Sequence, residues 1–308
     1  MRRLVLYRKT IISVLWLCVL TGCTFEVRDH ISRGTTYLGM GKVDASIREF
    51  NKALAVDPRN VTARIRLGQA YEKKGLTDKA IAEYKKALSY SPRSANAHAS
   101  LGLAYARKGM YDEAIAEYKE VIYIYPRLAE PYYMMGLAYG EKGMLKEAIV
   151  SFKKAVDLDP EYTEAYLYLA LVYDSKGETE GAVREFEKVL ELRPHDAVAS
   201  VSLAETYTNL GLKYEQEGQL DEAIYNLKKA VAINLGLINA HMHLGKIYEE
   251  KGMLQEAISE YQQVISISPA FADAHKALAA ALEKAGLYYM AETEMEIYRN
   301  LKRSAEEE

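Results

Sequence analysis

Cysteine is nearly absent, with only Cys18 and Cys23 among 308 residues. Cys18 lies in an N-terminal run expected to be removed, which excludes a disulfide in the mature chain. No charge sign dominates, with 40 Lys and Arg against 43 Asp and Glu, so neither a basic nucleic-acid surface nor an acidic domain is expected. The apolar run from Ile11 to Leu20 falls short of the roughly 20 residues that a membrane-spanning helix needs. No cysteine or carboxylate cluster has metal-ligand spacing, and no nucleophile stands in a recognisable relation to a base. Gly34, Gly39 and Gly41 precede Lys42, but Thr36 stands where a phosphate-binding loop needs its first glycine, and no strand precedes it. No catalytic residue, metal or cofactor is expected.

The start of the chain does carry a signal. Arg2, Arg3, Arg8 and Lys9 precede the apolar run, which ends in Leu20-Thr21-Gly22-Cys23. This order is that of a secretory signal, residues 1–22, with its cleavage site. Leu20 to Cys23 resembles the lipobox of bacterial lipoproteins, which implies a lipid on Cys23 and a short tether over 23–26. Removal of 1–22 leaves 36 basic and 43 acidic side chains, a net charge of −7. Thr24 after the cysteine resembles the outer-membrane sorting class of enteric bacteria. The expected location is the cell envelope, on the periplasmic face of the outer membrane in a Gram-negative source.

From residue 27 onward one pattern returns every 34 residues. In the stretch from Ala95 to Leu128, Leu101 and Tyr105 mark one helical face, Gly109 ends that helix, and Ala114, Ile115, Tyr118, Val121 and Ile122 mark a second helix ending before Pro126. Leu67, Gly68, Tyr71, Gly75, Ala80, Tyr84, Ala87 and Pro92 repeat it upstream, and Met135, Gly136, Tyr139, Gly143, Ala148, Phe152, Ala155 and Pro160 downstream. Gly102, Gly136 and Gly245 are expected where two helices approach closely. Gly75, Gly109, Gly143, Gly177 and Gly252 are expected in left-handed helix ends. Asp44, Asp78, Asp112 and Asp221 suit the start of the second helix, where side-chain oxygens and negative charge meet unpaired amides.

The spacing Leu-Gly-x-x-Tyr-x-x-x-Gly followed by Ala, aromatic, Ala and Pro resembles the tetratricopeptide repeat (TPR). A fixed period of this length implies an array of stacked hairpins, each burying the face of its neighbour. The fold class expected is all-α, a right-handed α-solenoid of about eight hairpins over 27–305: repeats 27–60, 61–94, 95–128, 129–162, 163–196, 197–237, 238–271 and 272–305, then an acidic tail over 306–308. In 197–237, Leu203, Ala204, Tyr207 and Gly211 fit the first-helix pattern, and so do Leu210, Gly211, Tyr214 and Gly218, which marks a seven-residue insertion. Seven residues are close to two helical turns, so one longer helix is expected there.

The ends depart from the pattern. His30, Arg33 and Ser46 place polar groups in the first repeat, as a cap would. In the last, Glu292 and Arg299 replace the apolar residues that earlier repeats carry, such as Ile81 and Leu88, so that face is expected to meet water and the array to stop there. His30, His98, His241 and His275 share the fourth repeat position, which predicts a shared packing role and not a metal site.

Functional information is expected on the inner groove, which the resemblance places on the first helices. Ala99, Leu103, Tyr133, Leu137, Leu167 and Leu171 fill positions five and nine of three successive repeats. Lysines and asparagines that clamp a peptide carboxylate in some relatives are missing there. An apolar strip of this kind suits an amphipathic helix or extended segment of a protein partner, although the same side chains could pack against the next first helix. The resemblance implies a membrane-tethered protein-binding scaffold. A pilotin-like assembly factor for a secretin or pilus machine is a second reading, and an adaptor that docks envelope enzymes a third.

Overall fold

A computed structural model describes residues 24–307, so Cys23 and the expected signal lie outside the described residues. Every regular element among them is a helix. The residues group into two compact units that meet in sequence between Asp159 and Pro160.

The first unit holds α1 (24–39), α2 (Val43–Val56), α3 (Val61–Lys73), α4 (Thr77–Tyr90), α5 (Ala95–Arg107), α6 (Tyr111–Ile124), α7 (Ala129–Glu141) and α8 (Leu145–Leu158). These pair into four hairpins, and the second helices α2, α4 and α6 pack on the first helices α3, α5 and α7 that follow them. The second unit repeats the plan with α9 (Thr163–Ser175), α10 (Thr179–Leu192), α11 (Ala197–Gln216), α12 (Leu220–Ile233), α13 (Ile238–Glu250), α14 (Leu254–Ile267), α15 (Ala272–Lys284) and α16 (Tyr288–Glu307).

Two glycine positions explain why each hairpin closes. At the end of α3 the chain turns left-handed at Gly75 (φ 78°), so that Leu76 N donates to Tyr71 O and Gly75 N to Glu72 O. This satisfies carbonyls that the helix end would leave bare, and only glycine takes that conformation without cost. Eight hairpins use it, with φ between 72° and 78°. In the middle of α5, Gly102 faces the Tyr118 ring of α6, and a Cβ there would lie 2.7 Å from Cε1. The close approach buries one large ring in six of the eight hairpins, Phe50, Tyr84, Tyr118, Phe152, Phe186 and Tyr261, with Leu227 and Met295 at the same place in the other two. Each such ring contributes about 2–3 kcal/mol.

Between hairpins, an apolar centre has an ionic rim. Ile81 and Leu88 of α4 pack with Ala97, Leu101, Ala104 and Tyr105 of α5. At the edge of the same junction Lys108 donates to Asp78 at 2.6 Å, and Lys74 donates to Asp44 at 2.5 Å one junction earlier. Lys142–Asp112 and Lys251–Asp221 repeat the pair. Of the two roles expected of these aspartates, the negative charge does lie in the first helical turn, but the side-chain cap is absent. The residues at the cap positions are Lys42, Leu76, Met110 and Gln219, and no side chain caps those helices. Each carboxylate is instead drawn to a lysine 30 residues ahead.

Two other expectations change. Ser46 does not face water: it is fully buried where other hairpins carry alanine, and its hydroxyl donates to Val43 O. The outer face of α16 is polar at Glu292 and Arg299, yet its first turn exposes Tyr288, Tyr289 and Met290. The insertion lies inside one helix, α11, of 20 residues where the other first helices of its unit have 13. Its two pattern copies serve two neighbours. Gly211 lies against Leu227 of α12, and Tyr207 donates to Glu187 of α10.

Candidate functional site

The fourth repeat position does one structural job. His98 Nδ1 lies 2.6 Å from Glu117 and its Nε2 2.9 Å from Pro92 O, tying the preceding turn to the second helix of its own hairpin. His241 pairs with Glu260 and Leu235 O, His275 with Glu294 and Pro269 O, and His30 with Glu49. In the second hairpin Arg64 takes over, with Glu83 at 2.6 Å and Pro58 O as its partners. Lys52 and then His30 hold the Glu49 carboxyl below the usual range. These histidines are occupied by packing. Among the described residues no three His, Cys, Asp or Glu side chains are grouped to hold a metal ion, and no helix is long and apolar enough to cross a membrane.

The groove residues sit differently from the core. Leu101 and Leu169, at core positions, are buried, whereas Leu103, Tyr133 and Leu137 of the first unit are half-buried and Ala99 is exposed. In the second unit Leu167 and Leu171 are half-buried on α9. Tyr133 lies against the Phe152 ring with centroids 5.9 Å apart.

The first unit brings two of these residues into a cleft. Ala99 and Leu103 of α5, Tyr118 and Val121 of α6, and Met134 of α7 line a space of about 280 Å³, closed on one side by the turn residues Tyr125 and Leu128. Asn96, Ser100 and Glu130 supply polar groups at its edge. Burial, opposed by Arg107 and assisted by Glu130, pushes the Tyr118 phenol up to about 12, so at neutral pH it stays uncharged. Tyr133 and Leu137 do not line this cleft, nor do Leu167 and Leu171.

The turn is what the groove positions alone did not reveal. Tyr125 and Leu128 are 57% and 43% exposed. The matching turn residues are Asp57 and Asn60 one way, Ser91 and Ser94 another. Asn60 and Ser94 cap the following helix by accepting from Ala63 N and Ala97 N, while Leu128 leaves α7 without a side-chain cap. A comparison of repeat positions 31 and 34 along the chain marks this turn, because only here are both apolar. A cleft in the same register opens beside α1, and there Asp57 and Asn60 line it.

The sequence matches the family described as the cilia and flagella-associated protein 70 C-terminal domain over residues 35–263, and the family described as TPR repeat over 245–286. No curated protein matches it. Among solved structures it is similar to the MamA protein, at 31% identity and TM-score 0.50, over 56% of this chain and 94% of that one. MamA from Desulfovibrio magneticus RS-1, residues 41 to the end, gives 25% identity and TM-score 0.52 over 56% and 98%. PilF of Pseudomonas aeruginosa, at 19% identity and TM-score 0.53 over 71% and 96%, shares the fold.

Proposed function

Because the chain belongs to the family of the cilia and flagella-associated protein 70 C-terminal domain and is a TPR protein-protein interaction scaffold, we propose that it holds an apolar-anchored peptide or helix in the cleft of its first unit while tethered to a membrane through Cys23. The observation that carries the binding site is the Tyr125–Leu128 turn, where two exposed apolar side chains stand in place of the polar ones of the two preceding turns. Exposed apolar surface at a turn serves a partner better than it serves folding. Asn96, Ser100 and Glu130 at the rim would orient a segment whose apolar side chain enters between Leu103 and Met134.

The tether rests on the order of charged start, short apolar run and Leu-Thr-Gly-Cys. Two or more acyl chains would hold the protein firmly, since each buried methylene contributes about 0.8 kcal/mol. With Cys23→Ala, fractionation should move the protein out of the membrane pellet, and a variant still processed and membrane-bound would defeat the anchor. For the groove, a photo-crosslinker at Leu103 should capture a partner in cells. Tyr125→Ser with Leu128→Ser should remove that adduct while thermal unfolding stays unchanged. An adduct indifferent to both changes would show that the cleft is not the binding site.

A further inference from the structure

The first and last hairpins each present one face that no described hairpin covers. On α1, the residues in register with Ala63, Leu67 and Lys74 of α3 are Asp29, Arg33 and Met40. On α16, those in register with Ile81, Leu88 and Asp78 of α4 are Glu292, Arg299 and Tyr289. An internal junction is apolar in the middle and ionic at the rim, as Ile81 and Leu88 with the Asp78–Lys108 pair show. Both end faces invert this. Charges occupy the middle, and the rim is apolar, with Met40 63% and Tyr289 86% exposed.

The inversion matches from one end to the other. Asp78, at the start of α4, meets Lys108, just past the end of α5, so a second helix runs against the first helix that follows it. In that antiparallel register Arg299 falls toward Asp29, Glu292 toward Arg33, and Tyr289 toward Met40. Opposite charges face each other at both central places and apolar groups meet at the rim. Arg33 already reaches Asp29 at 2.8 Å, and the pair would become the inner half of a four-charge row, Glu292, Arg33, Asp29, Arg299. A face built only to meet water needs no such order and no exposed tyrosine.

We propose that the α16 face of one copy docks on the α1 face of a second copy, so that the chain associates head to tail. Such an interface uses two different patches and need not close, so it allows linear assemblies. The test is sedimentation velocity on the full chain in detergent over a concentration series. Wild type should grow with concentration, and less so at high salt, because partly exposed ion pairs are screened. Inverting one face, Glu292→Arg with Arg299→Glu, should weaken association at least about tenfold, and so should Asp29→Arg with Arg33→Asp. Mixing the two inverted variants should restore it, because the inverted faces match again. Wild type that stays monomeric, association untouched by inversion, or a mixture that stays apart would each overturn the proposal. Should an inverted variant unfold, a photo-crosslinker at Tyr289 decides: an adduct to the Met40 peptide of an isotopically labelled second copy supports it, and any other adduct, or none, overturns it.

Discussion

The two clefts of the first unit share a register and differ at their turns. Beside α1 the turn offers Asp57 and Asn60, and Asn60 accepts from Ala63 N to start α3. Beside α5 it offers Tyr125 and Leu128, and α7 starts without a side-chain cap. The backbone is nearly the same at both places, φ −67° and ψ 105° at Asn60 against φ −85° and ψ 122° at Leu128. Leu128 has the backbone of a cap, but the residue three further on, whose amide Asn60 and Ser94 bond in their turns, is here Pro131, which has no N–H to donate. A lost cap alone is no signature, since Tyr162, Leu237 and Phe271 leave helices of the second unit uncapped too. The paired loss of polar groups at both turn positions separates the cleft beside α5 from the rest.

The largest way to disturb this comparison lies beneath the clefts. Gly102→Ala would push the Tyr118 ring, which lines the cleft beside α5, and Gly34→Ala would push the Phe50 ring, 2.5 Å from the added Cβ and not part of the cleft beside α1. Each should cost about 2 kcal/mol in denaturant unfolding, the upper range of overpacking less what alanine returns in helix propensity. Only Gly102→Ala should also weaken capture through Leu103. Equal loss of capture from both would mean that the two clefts do not differ in use.

The turns themselves give the next effect. Asn60→Leu should cost about 1 kcal/mol because it removes a cap, whereas Leu128→Asn should leave denaturant unfolding nearly unchanged, because Pro131 offers no N–H for the matching bond. Leu128→Asn should nonetheless lower partner capture, so binding falls while stability holds. If Leu128→Asn leaves capture intact, the apolar turn is not part of the site.

The fold was legible because each repeat position has one demand. A left-handed helix end selects Gly75, a close approach selects Gly102, and the period of 34 follows from reading either one along the chain. Pairings across hairpins were not legible in the same way. Asp44 near a helix start satisfies the rule for capping as well as the rule for a salt bridge, and only three dimensions bring Lys74 to it. Ser46 is polar in the sequence but replaces a buried alanine, since its hydroxyl finds a carbonyl of its own helix. Ala99 and Leu103, which line the cleft, were among the groove positions read from the sequence. Tyr125 and Leu128 were not, because a turn is ordinarily read for its breakers and not for its apolar residues.

The smallest effect is a control on the rim. Lys74 beside Asp44 holds its carboxyl below the ordinary carboxylate range. A carboxyl lowered in the folded state stabilises above its unfolded value, near 4, and that contribution fades as pH falls through the folded value. Asp44→Asn should thus differ from wild type in thermal scans fully above about pH 4 and progressively less below it. The difference should be slight and should vanish at high salt. A change that does not diminish as pH falls below that value would assign Asp44 a role other than its ion pair.

The insertion in α11 has a mechanical consequence. A hairpin pulled open from its ends releases all of its residues as slack, and the hairpin over 197–237 holds seven more than its 34-residue neighbours. Fully stretched, seven residues add about 25 Å of contour. In a force-extension trace of the chain, one step should be longer than the others by that amount, and it would identify which hairpin yields first under load.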